Sequence, residues 1–420
     1  MQKSVIVKLI HIGIFTLFIM LYFLFEEQSM VDSIMYHVDV NSNAAPFKTH
    51  SLLLLTALLS ICCLLGRYPR NHISITLFIL YIITIAFAFL HGPVDGKGII
   101  SYVVLFCSLL VPLLIYIFSY NLAYKISQKT FNRGIALGII LLVIMYAMTM
   151  KGVLINYVLD AEFRDGTVYV LMMFLPVVMT FNKKWTRRIL IVLISISVLT
   201  SLKRGGFVTI LLAVIAYLLT KQQVSQKSIP LIIKIIISLI ILISIVCVIV
   251  YINIQTEGKI FDRFATASAD GGSGRNIVYL VVLEMIGNSN LFELLFGHGW
   301  NFVLKDSPLE LSAHNDYLEI TYDIGIFGLF FLLFLLIHLF FITRNLYKQK
   351  SPNAPAYVAS FVIFLLTSMS SHVFLYTLNI SALTLFWGYI AGKEKQLSEV
   401  EVEVEDHVEE VKQLLEEGTT

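Results

Sequence analysis

The chain has 420 residues, of which 58% are hydrophobic and only 14% charged, with 30 Lys+Arg against 28 Asp+Glu. Water-soluble globular chains carry roughly 45–50% apolar and about 25% charged residues, so there is too little charge here to coat a soluble surface. The composition also excludes a disordered chain and a small disulfide scaffold, which leaves an all-α polytopic membrane protein as the expectation.

A spanning helix needs about 20 apolar residues. In chain order the candidate spans are 5–25, 51–66, 73–90, 99–119, 134–150, 168–181, 189–201, 207–220, 231–254, 320–343, 355–370 and 373–391, twelve in all. The first run is too long for the apolar core of a signal peptide and no small-residue cleavage site follows it, so it reads as a retained helix. Short basic loops set the orientation. Lys3 and Lys8 precede span 1, and Arg67/Arg70, Lys125/Lys129/Arg133, Lys183/Lys184/Arg187/Arg188, Lys221/Lys227 and Arg344/Lys348/Lys350 follow spans 2, 4, 6, 8 and 10. These segments, and both termini, are expected on the cytoplasmic side.

The opposite side then receives the loop 255–319, longer than a connection needs and rich in apolar helical stretches (Ile277 to Ile286, Leu291 to Phe296). Long ordered loops are usually functional. The expected organisation is spans 1–9 over 1–254, an outer loop with the site elements over 255–319, spans 10–12 over 320–392, and an acidic cytoplasmic tail over 393–420. That tail holds ten of the acids and three of the lysines, leaving the membrane body at +9 while the whole chain carries +2. It reads as a solvated tail or as a partner-binding one. Cys62, Cys63, Cys107 and Cys247 lie in apolar runs without metal-ligand spacing and read as packing residues. No basic cluster is dense enough to suggest nucleic acid as a partner.

Charge is so scarce that each ionisable group near the outer helix ends needs a reason. Ser201-Leu202-Lys203-Arg204-Gly205-Gly206, between spans 7 and 8, places Lys203 and Arg204 on the side where basic residues are disfavoured. Glycines allow close backbone approach and a guanidinium fork suits phosphate oxygens, so the turn reads as an anion site or as a pair bound to lipid headgroups. Gly271 to Asn276 starts a helix near Arg275, and its free N–H groups with the adjacent Arg suit an anion; an ordinary helix start is the other reading. Ala313-His314-Asn315-Asp316-Tyr317, running through Glu319 to Gly325 and Gly328, gathers His, Asn, Asp and Glu at a membrane entrance. It offers a proton acceptor near neutral pH or simple interfacial dressing of a helix start. In Gly297-His298-Gly299-Trp300-Asn301, Trp300 reads as an interface anchor or a sugar-stacking platform. Asp160, Glu162, Arg164 and Asp165 read as a solvated outer loop. There is no P-loop, zincin helix or nucleophile elbow.

Taken together and in order, these motifs resemble the O-antigen ligase and polymerase superfamily. His314-Asn315, nine residues, Gly325, two residues, Gly328 is similar to the family signature; so are the Ser201 to Gly205 turn, Arg275 at a helix start in the long outer loop, and Gly297 to Asn301. The resemblance covers about residues 195–330. It implies an integral membrane glycosyltransferase of the metal-independent type, using no cofactor and no nucleotide sugar, that acts at the outer face of the bacterial inner membrane. Its substrates would be a glycan on undecaprenyl diphosphate and an acceptor glycan or glycolipid, with membrane lipids around it and a chain-length regulator protein as a further partner the resemblance allows. The implied roles are Arg204 and Arg275 on the diphosphate, His314 on the attacking hydroxyl, and Lys203, Gly205, Asn315, Trp300 and Asn301 in substrate binding. A repeat-unit polymerase is the leading expectation and a ligase to lipid A core the next. A lipid-linked-oligosaccharide transporter is a reading of another class, disfavoured because the span interiors are nearly free of charge, Lys234 being the main exception.

Overall fold

The computed structural model describes residues 12–19, 44–91, 98–155, 167–201, 203–224 and 274–417, with the single residues 250 and 254. Among them every regular element is a helix, with a short helical stretch at 12–19 and fifteen further helices. These are α1 Ala44–Leu64, α2 His72–His91, α3 Gly98–Lys125, α4 Gln128–Ile155, α5 Thr167–Met173, α6 Leu175–Met179, α7 Lys184–Thr200, α8 Arg204–Val224, α9 Arg275–Asn288, α10 Leu291–Phe296, α11 Phe302–Asp306, α12 Asp316–Asp323, α13 Gly325–Lys348, α14 Ala354–Ser370 and α15 Thr377–Glu417. The protein is an all-α polytopic membrane protein, as expected. The expected spans 5–25 and 231–254 lie largely outside the described residues, and so do Lys234, Cys247, Asp160 to Asp165 and Gly271 to Ser273.

Among the described residues four helical stretches are long and apolar enough to cross a membrane, Leu105–Lys125, Gln128–Met148, Gly205–Val224 and Gly325–Lys348. Shorter apolar helices run over Leu52–Leu64, His72–Phe87, Val168–Met179 and Ala354–Ser370. Burial separates their places. The apolar window of Leu105–Lys125 is 78% buried, against 28–33% for the other three, so α3 is the central post and the others are peripheral. On α13 the exposed side chains are Ile326, Phe327, Phe330, Leu333, Phe334, Ile337, Phe340 and Phe341, while Leu332, Leu335, Leu336 and Leu339 face inward. Both faces are apolar, which is the pattern of a helix with lipid on its outer side.

The tightest seam joins α3 to α15. Gly388 presses on the Tyr116 carbonyl and Ser119, and one helical turn later Gly392 meets the Tyr120 carbonyl at 2.5 Å from where a β-carbon would stand. Small residues four apart let two backbones touch without side chains between them. Beside that seam Phe131 stacks on Tyr389 at 3.8 Å, and Trp387, fully buried, donates from its indole nitrogen to Ser360.

Two expected spans differ in detail. The run 168–181 is two short helices broken at Phe174, with Pro176 in the first turn of the second and every residue of α6 buried. Proline lacks the N–H that would continue the first helix. The run 320–343 is interrupted at Ile324, where Gly325 takes φ +80° and α12 gives way to α13.

Candidate functional site

The site is organised by α12, only eight residues long and set between two apolar clusters. Ile320 and Ile324 point into the main core. Tyr322 and Leu318 pack on a satellite cluster with Val278 and Val282 of α9, Val303 of α11 and Ala313. This wedging fixes α12 at one end of the bundle, next to the starts of α8 and α9 and the turn between α14 and α15.

Asn315 is the N-cap of α12: its side chain accepts the Tyr317 and Leu318 N–H groups at 3.0 and 3.3 Å, and its carbonyl accepts that of Glu319 at 3.0 Å. Asn is among the best residues for satisfying these orphan donors. His314, just before the cap, is exposed and sits at φ 51°, a left-handed conformation uncommon outside glycine. The chain therefore turns sharply at His314 and presents it at the surface.

Behind His314 lies a group the sequence did not single out. His372, in the turn after α14, is 4% exposed and its ring lies 5.1 Å from that of His314. Its Nδ1 is 3.4 Å from Glu319 and 3.7 Å from Asp316, ion-pair rather than ideal hydrogen-bond distances. Its Nε2 is 3.1 Å from the Ser312 hydroxyl, and Tyr376 stacks on its ring. Burial alone would lower the imidazole pKa, but Glu319 and then Asp316 outweigh it and hold it above its ordinary value. Glu319 is pushed up by burial, opposed chiefly by His372. Its carboxylate accepts the Ala313 N–H at 2.5 Å, with the His314 N–H adding to it. Asp316, fully buried, accepts the Val373 and Phe374 N–H groups at 2.8 and 2.9 Å. The histidine signal was available: His372 is an ionisable residue in a turn expected on the outer side.

The two basic motifs converge on the same place. Ser201 closes α7 with its hydroxyl donating to the Val198 carbonyl at 2.7 Å, the Lys203 N–H approaches that hydroxyl at 3.4 Å, and Arg204 opens α8. Arg275 opens α9 after Gly274, which takes φ +75°. A β-carbon on Gly205 would stand 4.0 Å from an Arg275 guanidinium nitrogen and 3.0 Å from the Ser370 hydroxyl. The same guanidinium charge acts on His372. Gly205, Arg275, His372 and His314 thus form one neighbourhood drawn from α8, α9, the turn after α14 and the start of α12. Arg275 and His314 are 39 positions apart in sequence, and a cationic start of α9 beside an exposed imidazole can hold an anion next to a proton acceptor.

Trp300 and Asn301 are placed differently. Asn301 is exposed at φ 62° and its N–H donates to Asp323 at 2.8 Å, while Trp300 is half-buried against the main core. Asp323 also takes the Val303 N–H at 3.0 Å, and its carbonyl takes that of Gly299 at 2.9 Å. Burial first, and then Glu319, push the Asp323 carboxyl well above the ordinary range against these donors. Asp323 is at the far end of α12 from His314, about 10 Å along the axis at 1.5 Å per residue. The Gly297 to Asn301 motif therefore serves as an anchor for α12. His298 lies within it, stacked on Tyr322 at 4.1 Å and paired with Ser289 at 2.8 Å. Among the described residues no group of three His, Cys, Asp or Glu side chains is arranged to hold a metal ion.

Residues 189–333 match the family model described as O-antigen ligase. The match covers about a third of the chain and contains the Ser201 turn, Arg275, the Gly297 motif and the His314 motif. No curated protein matches the chain.

Proposed function

From the O-antigen ligase domain at residues 189–333, we propose that the protein is a glycosyltransferase of the bacterial inner membrane, transferring a glycan from undecaprenyl diphosphate to an acceptor hydroxyl at the outer face. The observation that carries this reading is the meeting of Gly205, Arg275 and the His314 loop at one end of the bundle, from three separate family-like motifs.

In this reaction the acceptor oxygen attacks the anomeric carbon and the bond from that carbon to the diphosphate oxygen breaks. The diphosphate leaves with the electron pair, and the hydroxyl proton passes to His314. Arg275 and Arg204, with Lys203 in support, hold the diphosphate and stabilise the charge it gains, the kind of fixed electrostatic complement that contributes most to such steps. Gly205 lets backbone and ligand approach closely. His314 is suited to the proton because imidazole exchanges one near neutral pH. Asn315 sets the direction of His314 through its cap, while Trp300 and Asn301 belong to the segment that anchors the far end of α12. No metal enters the scheme.

The leading reading is a surface-polysaccharide repeat-unit polymerase, since the motifs are those shared across the superfamily. Ligation to a lipid A core is the second reading, which shares the same motifs. Purified protein with labelled lipid-linked oligosaccharide should transfer glycan, and His314→Ala or Arg204→Ala should abolish transfer while leaving a folded protein; wild-type rates in either variant would end this reading. Complementation separates the two acceptors: loss of a polymerase leaves single repeat units on the lipid A core, and loss of a ligase leaves none and accumulates glycan on the carrier.

A further inference from the structure

The three residues leading to the turn at His314 are each held by one cluster. The Ser312 hydroxyl is bonded to His372 Nε2, and the Ala313 and His314 N–H groups are held by Glu319. In return Asp316 grips the backbone immediately after His372, at Val373 and Phe374, and the Asn379 amide donates to the His372 carbonyl at 2.7 Å. Asp316, Glu319 and His372 are all less than 5% exposed. A buried carboxylate needs a counter-charge to stay ionised, and His372 Nδ1 faces Glu319 and Asp316 at 3.4 and 3.7 Å. His372 Nε2 is taken up by Ser312 and Nδ1 is turned toward the two carboxylates, the placement of a counter-charge.

We propose that His372 is a positioning residue: as an imidazolium between Asp316 and Glu319, it supplies the counter-charge that lets the buried Glu319 carboxylate grip the Ala313 and His314 backbone, and so fixes His314 for transfer. The inference deepens the reading above and rests on it. The charged and titratable groups facing His372 are Glu319 and Asp316 from α12, His314 from the loop, Arg275 from α9 and Tyr376 from its own turn, with Tyr81 of α2 beside Asp316. Removing Arg275 would strengthen the His372 charge, whereas removing Glu319 would leave that charge without its main purpose.

The test is a double-mutant cycle on glycan transfer by the purified full chain, with fold checked by thermal melting. His372→Gln should lower kcat by about tenfold to a hundredfold with KM nearly unchanged, because His314 is displaced while the substrate contacts remain. Glu319→Gln should keep measurable transfer, since the Gln carbonyl still accepts the Ala313 N–H without needing a counter-charge. In the Glu319→Gln background His372→Gln should then cost no more than about twofold. Multiplying losses, or a wild-type kcat in His372→Gln, would overturn the proposal. Should His372→Gln fail to fold, the wild-type and Glu319→Gln pH profiles decide. The wild type should lose kcat on the alkaline side as His372 deprotonates, and Glu319→Gln should lack that limb; an unchanged limb would overturn the proposal. His314→Ala at wild-type rates would instead overturn the glycosyltransferase reading itself, which separates the two failures.

Discussion

Gly297 and Gly325 face each other across the joint between α10 and α13, each at φ +80° and each lying against the backbone that adjoins the other. Gly297 presses on the Asp323 carbonyl and Ile324 N, and Gly325 on the Leu295 carbonyl and Phe296 N. These are two glycines of the family-like motifs, and their work is to let two backbones touch.

Alanine at either glycine meets a left-handed penalty of about 1–2 kcal/mol together with a backbone clash. Gly297→Ala and Gly325→Ala should each lower stability by about 2–4 kcal/mol, and the double variant should cost less than the sum because one contact is shared. Gly287 in α9 has open space around it. Gly287→Ala should be neutral or stabilising by up to about 1 kcal/mol. Thermal melts in detergent compare all four.

His372 gives the fold a pH dependence of definite sign. Its folded pKa is raised above the unfolded value, so it contributes stability that is fully present below the unfolded pKa of about 6.5 and lost as pH rises through the folded value. The melting temperature of the wild type should exceed that of His372→Gln most at about pH 6, with the gap narrowing steadily as pH rises above 6.5. A gap that widens with pH would contradict the assignment.

Arg275 tests what kind of charge the site needs. A guanidinium can hold two phosphate oxygens at once and an ammonium cannot. Arg275→Ala should reduce kcat by about 10²–10³-fold, and Arg275→Lys should recover less than a tenth of the lost activity. Radiolabelled transfer assays at saturating donor measure both.

The acidic end of α15 touches the body through an exposed pair, Arg67 with Glu399 at 3.2 Å, and exposed pairs contribute little. Deleting residues 399–420 should leave in vitro transfer within about twofold of the full chain. A larger fall would give the tail a part in the chemistry.

The sequence made much of this legible because charge is so rare in it. Lys203, Arg204, Arg275 and His314 stood out against apolar surroundings, and Gly205, Arg275 and His314 are brought into one neighbourhood. What it concealed was backbone geometry. The break between α12 and α13 depends on a positive φ at Gly325, and the split at Phe174 lies in an unbroken apolar run. Asn315 and Asn301 carry polar groups suited to a ligand, yet Asn315 caps a helix and Asn301 bends the chain at φ 62°. His372 sat in a turn near the last span, and its partners Asp316 and Glu319 are more than fifty positions earlier. Only folding shows that pairing.

One further property follows from α15. It runs unbroken from Thr377 to Glu417, 41 residues, or about 60 Å at 1.5 Å per residue, roughly twice the thickness of a bilayer's hydrocarbon core of about 30 Å. Thr377 is five positions after His372. The acidic tip and the turn that carries the buried imidazole therefore lie at opposite ends of one continuous helix, farther apart than the hydrocarbon core is thick.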